Sequence, residues 1–118
     1  MSEILNAQIT SVSFGYEDHG ILTFGLGLDM SDGSSCVFGG YALDTYDKEL
    51  KKRICGRYSM ECLTEIMKTL GVEKWEHLKG KYIRVVSESW GTPISKIGNL
   101  MKDQWFDIKE FFEKHSDE

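Results

Sequence analysis

The side chains in this sequence that could carry out chemistry are few, and their spacing excludes most reaction classes. His19 falls in a predicted turn, His77 in a short predicted helix and His115 in the C-terminal tail, so no two are placed by sequence to share a metal or a proton. There is no His-Glu-x-x-His and no Cys-x-x-Cys pair, and metal-assisted hydrolysis has no support. Glu17 and Asp18 are adjacent carboxylates, but neighbours in a strand or turn point apart, a poor geometry for acid and base catalysis. Cys55 lies beside Gly56 and Arg57, a setting that favours the thiolate, yet no histidine is positioned to activate it. Cys36, Cys55 and Cys62 read as reduced, structural thiols. These residues point to a protein that holds a ligand without converting it, and that needs neither metal nor cofactor.

The richest set of recognition groups is the stretch 87–99, SESWGTPISKIGN. It holds the only proline, a Trp-Gly pair, three serines, a threonine and an asparagine. Trp90 offers a large aromatic face, Thr92 and Asn99 offer hydrogen bonds, and Gly91 and Pro93 shape a turn that lets a ligand approach the backbone. The bland alternative is an ordinary connection with Trp90 packed on a neighbouring strand.

These groups need a scaffold, and the composition sets its size. A chain of 118 residues that is 41% hydrophobic can bury one core, so the expectation is one domain over 1–118 with a frayed, charged tail at 113–118. No run reaches the roughly 18 apolar residues of a membrane span, and the N-terminus lacks the basic and apolar regions of a signal peptide. Cytoplasmic residence is expected. A net charge of −5 argues against coating a nucleic-acid duplex, which requires many phosphates to be neutralised at once.

The alternation Leu5, Ala7, Ile9, then Val12 and Phe14 predicts a strand with a bulge after Ile9, and 15–20 reads as a turn. Leu22, Phe24, Leu26, Leu28 and Met30 form the clearest strand, with Gly25 and Gly27 on its other face, where something packs closely or the strand bends. A hairpin turn at 31–34 leads to a third strand that breaks at Gly39-Gly40, a pair whose successive N–H groups suit an anion but which lacks the spacing of a dinucleotide fingerprint. A basic patch follows (Lys48, Lys51, Lys52, Arg53), with Arg57 set apart between Gly56 and Tyr58. Ser59 is a good N-cap for a helix over 60–70, whose stripe of Met60, Leu63, Ile66, Met67 and Leu70 packs on the sheet and which stops at Gly71. A short helical turn over 73–78 faces Trp75 and Leu78 inward, and 81–86 returns to the sheet. Ile94, Ile97 and Leu100 anchor the far side of the loop, and Trp105, Phe106, Ile108, Phe111 and Phe112 give the C-terminal segment an aromatic density suited to a partner surface. The predicted fold is α+β: a twisted antiparallel sheet of about four to five strands with one main helix packed across it.

The phrases 38–44 (FGGYALD), 71–81 (GVEKWEHLKGK) and 97–106 (IGNLMKDQWF) resemble those of a family of small phage and prophage proteins. That family includes the first-described Thoeris anti-defence type, and the likeness runs from about Leu5 to Phe112. The resemblance implies a non-enzymatic sponge in the host-cell cytoplasm that binds a cyclic ADP-ribose isomer made by an immune TIR enzyme. In some members it also implies binding of cyclic di- or trinucleotide signals. It further implies homo-oligomers built on dimers, with sites between subunits. Such a ligand needs a flat surface for adenine, neutral hydrogen bonders for ribose and one or two cations for pyrophosphate. The expected ligand-binding set is Arg57, Arg84, Trp90, Gly91, Thr92, Ile94, Asn99 and Lys102, where the loop meets Arg57, with Arg57, Arg84 or Lys102 supplying positive charge. The alternatives are a phage inhibitor that binds a host immune protein directly and a small nucleotide-processing enzyme.

Overall fold

A computed structural model describes residues 3–17, 20–88 and 94–114. It is α+β, with a six-stranded antiparallel sheet in the order β3-β2-β1-β6-β7-β8. Its strands are β1 (Glu3–Glu17), β2 (Ile21–Met30), β3 (Ser35–Ala42), β6 (Tyr82–Ser87), β7 (Lys96–Asn99) and β8 (Trp105–Asp107). A separate hairpin of β4 (Asp44–Asp47) and β5 (Lys52–Cys55) precedes helix α1 (Ser59–Leu70). A 3₁₀ turn spans Trp75–Leu78, and α2 (Ile108–Lys114) follows β8 directly. The sheet therefore exceeds the expected four to five strands. The extra strands are β7 and β8, each too short to show an alternation in the sequence.

The meander β1-β2-β3 is present, and its register slips between Ile9 and Ser11 where the apolar alternation changes parity. The turn expected at 15–20 starts later, because β1 stays paired to β2 through Glu17 opposite Ile21. Close neighbours face Gly25 and Gly27: a methyl at Gly27 would collide with the Ser11 hydroxyl, and one at Gly25 would come within 3.3 Å of both Ser13 and Val37. The double glycine does not end β3. Gly39 and Gly40 have φ of 105° and 83°, and the register with β2 shifts there, which makes a bulge. Gly39 also lies against the Phe24 ring, 2.8 Å from where a methyl would sit to Cε2.

Helix α1 begins at Ser59 itself. Tyr58 occupies the N-cap position, and the Ser59 hydroxyl donates to the carbonyl of Leu43, so it ties the helix to the strand region and does not cap it. The buried stripe is Ser59, Cys62, Leu63, Ile66, Thr69 and Leu70, at spacings of 3, 4, 7, 10 and 11. Met60, expected inside, is 65% exposed, since this stripe is rotated toward Cys62 and Thr69. Gly71 stops the helix at φ 76°, and its N–H bonds back to the carbonyls of Met67 and Lys68. The core joins Phe24, Leu26, Leu28 and Phe38 of the meander, Ile83, Val85 and Ile97 of the later strands, Leu78, and Ile66 and Leu70 of α1. The C-terminal aromatics belong largely to this core: Phe106 and Ile108 are buried, and Phe111 and Phe112 pack on it with a Phe112–Tyr41 ring contact at 5.3 Å. The tail expected at 113–118 still holds Glu113 and Lys114 in α2, and 115–118 lie outside the described residues. Among the described residues no helix is long and apolar enough to cross a membrane.

Candidate functional site

Directly paired residues on neighbouring strands point to the same face of a sheet. Ile83, Val85, Ile97 and Phe106 therefore line the core, whereas Arg84, Gly98, Trp105 and Lys96 lie on the opposite face, where Tyr82 is 58% exposed. Gly98 sits between Arg84 and Trp105 in the register, and it lets the indole lie flat on the strand. A methyl at Gly98 would fall 2.7 Å from both Cδ2 and Cζ3 of Trp105. The indole N–H donates to the Asp103 carboxylate at 2.8 Å, which fixes the ring edge.

Two cations meet this ring. The Arg84 guanidinium lies 4.5 Å from its centroid and the Lys96 ammonium 5.6 Å. Arg84 is held in place by its Nε–H donating to the carbonyl of Asn99 at 2.8 Å and Nη2 donating to that of Lys102 at 2.9 Å. Asn99 in turn organises the β7–β8 turn. Its amide Nδ2 donates to the Thr69 carbonyl at 3.1 Å, and its Oδ1 accepts from the N–H groups of Met101 and Lys102 at 2.9 and 3.0 Å. The result is a half-buried aromatic plate, pre-set by hydrogen bonds, with positive charge over the ring.

The expected site residues separate into four groups. Arg84, Asn99 and Lys102 are brought together at the β7–β8 turn, although the polar atoms of Asn99 are turned onto backbone groups. Arg57 stands apart, exposed just before α1 with its guanidinium 5.5 Å from the Tyr58 ring. Asn99 contacts the last turn of that 12-residue helix, so the two are separated along α1 by about 18 Å at a rise of about 1.5 Å per residue. Ile94 is 5% exposed and belongs to the core cluster. Trp90, Gly91 and Thr92 lie outside the described residues, as do His19, His115 and Asp18.

Sequence reasoning did not single out Trp105 and Lys96 as a unit. The available signal was the pairing of a glycine in one short strand with a tryptophan in the next, visible only once β7 and β8 are known to pair. The basic patch also divides. Arg53 is committed to Asp44, whose Oδ1 accepts from Nη2 at 2.8 Å and from the N–H of Leu22 at 3.2 Å. The hydrogen bond from Arg53 holds the buried Asp44 carboxyl below its ordinary pKa, with the Leu22 N–H adding to the effect. The ion pair joins β5 to β4 and the Leu22 N–H ties Asp44 to β2, while Lys48, Lys51 and Lys52 stay exposed.

Two of the thiols, Cys36 and Cys62, are held in the protonated form. Burial pushes Cys62 up to about 12 and raises Cys36, which points its sulfur at Met30 Sδ 3.9 Å away. Among the described residues no group of three His, Cys, Asp or Glu side chains could hold a metal ion. No protein-family model matches this chain, and no curated protein matches it.

Proposed function

We propose that this protein is a viral anti-defence sponge, which binds and sequesters cyclic ADP-ribose-type immune signals in the host-cell cytoplasm and does not cleave them. Cyclic di- and trinucleotide signals are further ligands, and the working form is a homo-oligomer built on dimers. The observation that carries the reading is the Trp105 indole laid on Gly98 with the Arg84 guanidinium and Lys96 ammonium over the ring, an aromatic and guanidinium surface with positive charge. An adenine ring finds there a surface for stacking, a contact worth about 1 to 3 kcal/mol per base. A pyrophosphate finds Lys96 and Lys102 within reach of the same turn, and Arg84, already bonded to two carbonyls, contributes charge without having to move. The stretch 89–93 joins β6 to the segment leading into β7, the strand that carries Lys96 and Gly98. Its Trp90, Gly91 and Thr92 have the chemistry of a second aromatic face and neutral hydrogen bonders, and lie outside the described residues.

The test separates holding from converting. The protein is incubated with a purified cyclic ADP-ribose isomer, freed of unbound nucleotide, and then heat-denatured. A sponge returns the nucleotide intact in stoichiometric amount, whereas a nucleotide-processing enzyme returns a linear or cleaved product. An inhibitor acting on a host protein retains no nucleotide.

A further inference from the structure

The longest strand, β1, is paired on both edges for only part of its length. It meets β2 from Ala7 to Glu17 but meets β6 only from Glu3 to Gln8. The β6 side is closed at Ile9, whose N–H donates to the Lys81 carbonyl at 2.9 Å and whose carbonyl accepts from the Gly80 N–H at 2.6 Å. Beyond that point, among the described residues, no strand pairs with β1 on this side.

Which backbone groups are left over follows from β2. The Met30 N–H donates to the Ser34 carbonyl at 2.8 Å and the Leu22 carbonyl accepts from the Leu43 N–H at 2.7 Å, so even-numbered residues of β2 bond away from β1 and odd-numbered ones toward it. Their partners Ser11, Ser13, Gly15 and Glu17 therefore spend their peptide groups on β2, and Val12, Phe14 and Tyr16 point theirs out of the edge. The side chains of these three share one face, on which Phe14 stands across from the buried Phe24. Phe14 is nonetheless 49% exposed and Tyr16 71%. Proteins ordinarily blunt an open edge with proline, lysine or a bulge, and residues 12–17 carry none of these.

We infer that this edge takes up an extended segment of a partner protein as an added strand beside residues 12–17. Val12, Phe14 and Tyr16 exchange N–H and carbonyl bonds with it, and its apolar side chains lie against Phe14 and Tyr16. The alternate side chains, on the face of Ser13 and Gly15, are small or polar. A row of unpaired peptide groups is matched by an extended backbone, which fixes the class of occupant. A second copy of β1 does not fit. The register that pairs 12–16 of both strands sets Phe14 opposite Phe14 and Glu17 opposite Ser11, and the connection from Glu17 to Ile21 of that copy would then run into Gly80 and Lys81, which close the edge at Ile9. The inference goes beyond the proposed function and does not depend on the nucleotide.

The experiment is amide hydrogen exchange, read by NMR, on the full chain alone and with a soluble peptide that alternates valine and threonine between terminal lysines. In the chain alone the Val12, Phe14 and Tyr16 amides exchange fast while those of Ser13 and Gly15 are slow. With the peptide at about ten times its Kd the three fast amides slow roughly tenfold, and the same peptide N-methylated at alternate residues, so that it cannot donate to the edge, has no effect. Phe14→Pro abolishes the response and keeps the β1–β2 ladder, because the N–H it removes points outward. If circular dichroism shows that variant unfolded, Phe14→Lys takes its place and lowers the peptide's affinity. The inference is overturned if the three amides are already protected in the chain alone at any concentration, if the peptide protects none of them, if the N-methylated peptide works as well, or if the folded variant responds as wild type does.

Discussion

Replacing Asn99 tests whether its side chain serves the fold or a ligand. Three hydrogen bonds leave with it in Asn99→Ala: one to the Thr69 carbonyl in the last turn of α1, and two from the Met101 and Lys102 N–H groups. The two N–H groups are exposed and regain water, whereas Thr69 is 7% exposed and its carbonyl loses a partner in a shielded position. At about 1 kcal/mol for each net bond, with more for a shielded group, the loss is roughly 2 to 3 kcal/mol. That corresponds to a fall of about 8 to 12 °C in Tm, at roughly 4 °C per kcal/mol for a chain of this size. Asn99→Asp refines the test. It keeps the acceptor for Met101 and Lys102 but sets a carboxylate against a carbonyl at the negative end of the α1 dipole. Asn99→Asp should therefore also melt below wild type, through the lost Thr69 contact. Far-UV melts of wild type and both variants at pH 7 provide the readout. If Asn99→Ala melts with wild type, the side chain is free for a ligand and the structural role argued here is wrong.

The ion pair that fastens the hairpin has its own pH signature. Asp44 has a folded pKa below its unfolded value, so its stabilisation is present above about pH 4 and lost as pH falls through the depressed value; Asp44→Asn should flatten the acid limb of a melting profile, and an unchanged limb would refute this. Among the thiols, Cys55 is exposed whereas Cys62 is buried with its pKa near 12, so a thiol reagent in native buffer should label Cys55 first and Cys62 only on unfolding; early labelling of Cys62 would contradict the packing of α1. Gly98→Ala should displace the Trp105 indole, read as a shift and loss of near-UV signal with far-UV signal retained, and an unchanged spectrum would remove the plate from the account.

The parts of the fold legible in the sequence were those with a long alternation or a stop signal. The parity change at Ile9, the run from Leu22 to Met30 and the end of α1 at Gly71 are all where the residue pattern put them. Strands β7 and β8 were not legible, because four and three residues are too few to show a period and their pairing is set by contacts with β6 and α1. The same shortfall hid the plate, since Trp105 reads as one of several C-terminal aromatics suited to a partner surface until its register against Gly98 places it on one face of the sheet. Arg84, Asn99 and Lys102 were expected in one ligand-binding set with Arg57, but sequence spacing does not say which of these groups meet, nor whether they bond outward or to the backbone. The C-terminal aromatics looked too numerous for one small core, yet α2 folds back so that Phe111 and Phe112 pack on it.

Isothermal calorimetry of wild type and Trp105→Ala against a panel of cyclic ADP-ribose isomers tests the central claim most directly. Saturable binding of at least one isomer by wild type, weakened by about 1 to 3 kcal/mol in Trp105→Ala while the melt shows that variant still folded, is the predicted result. The absence of binding to every isomer on the panel, or equal affinity in the two proteins, would contradict it.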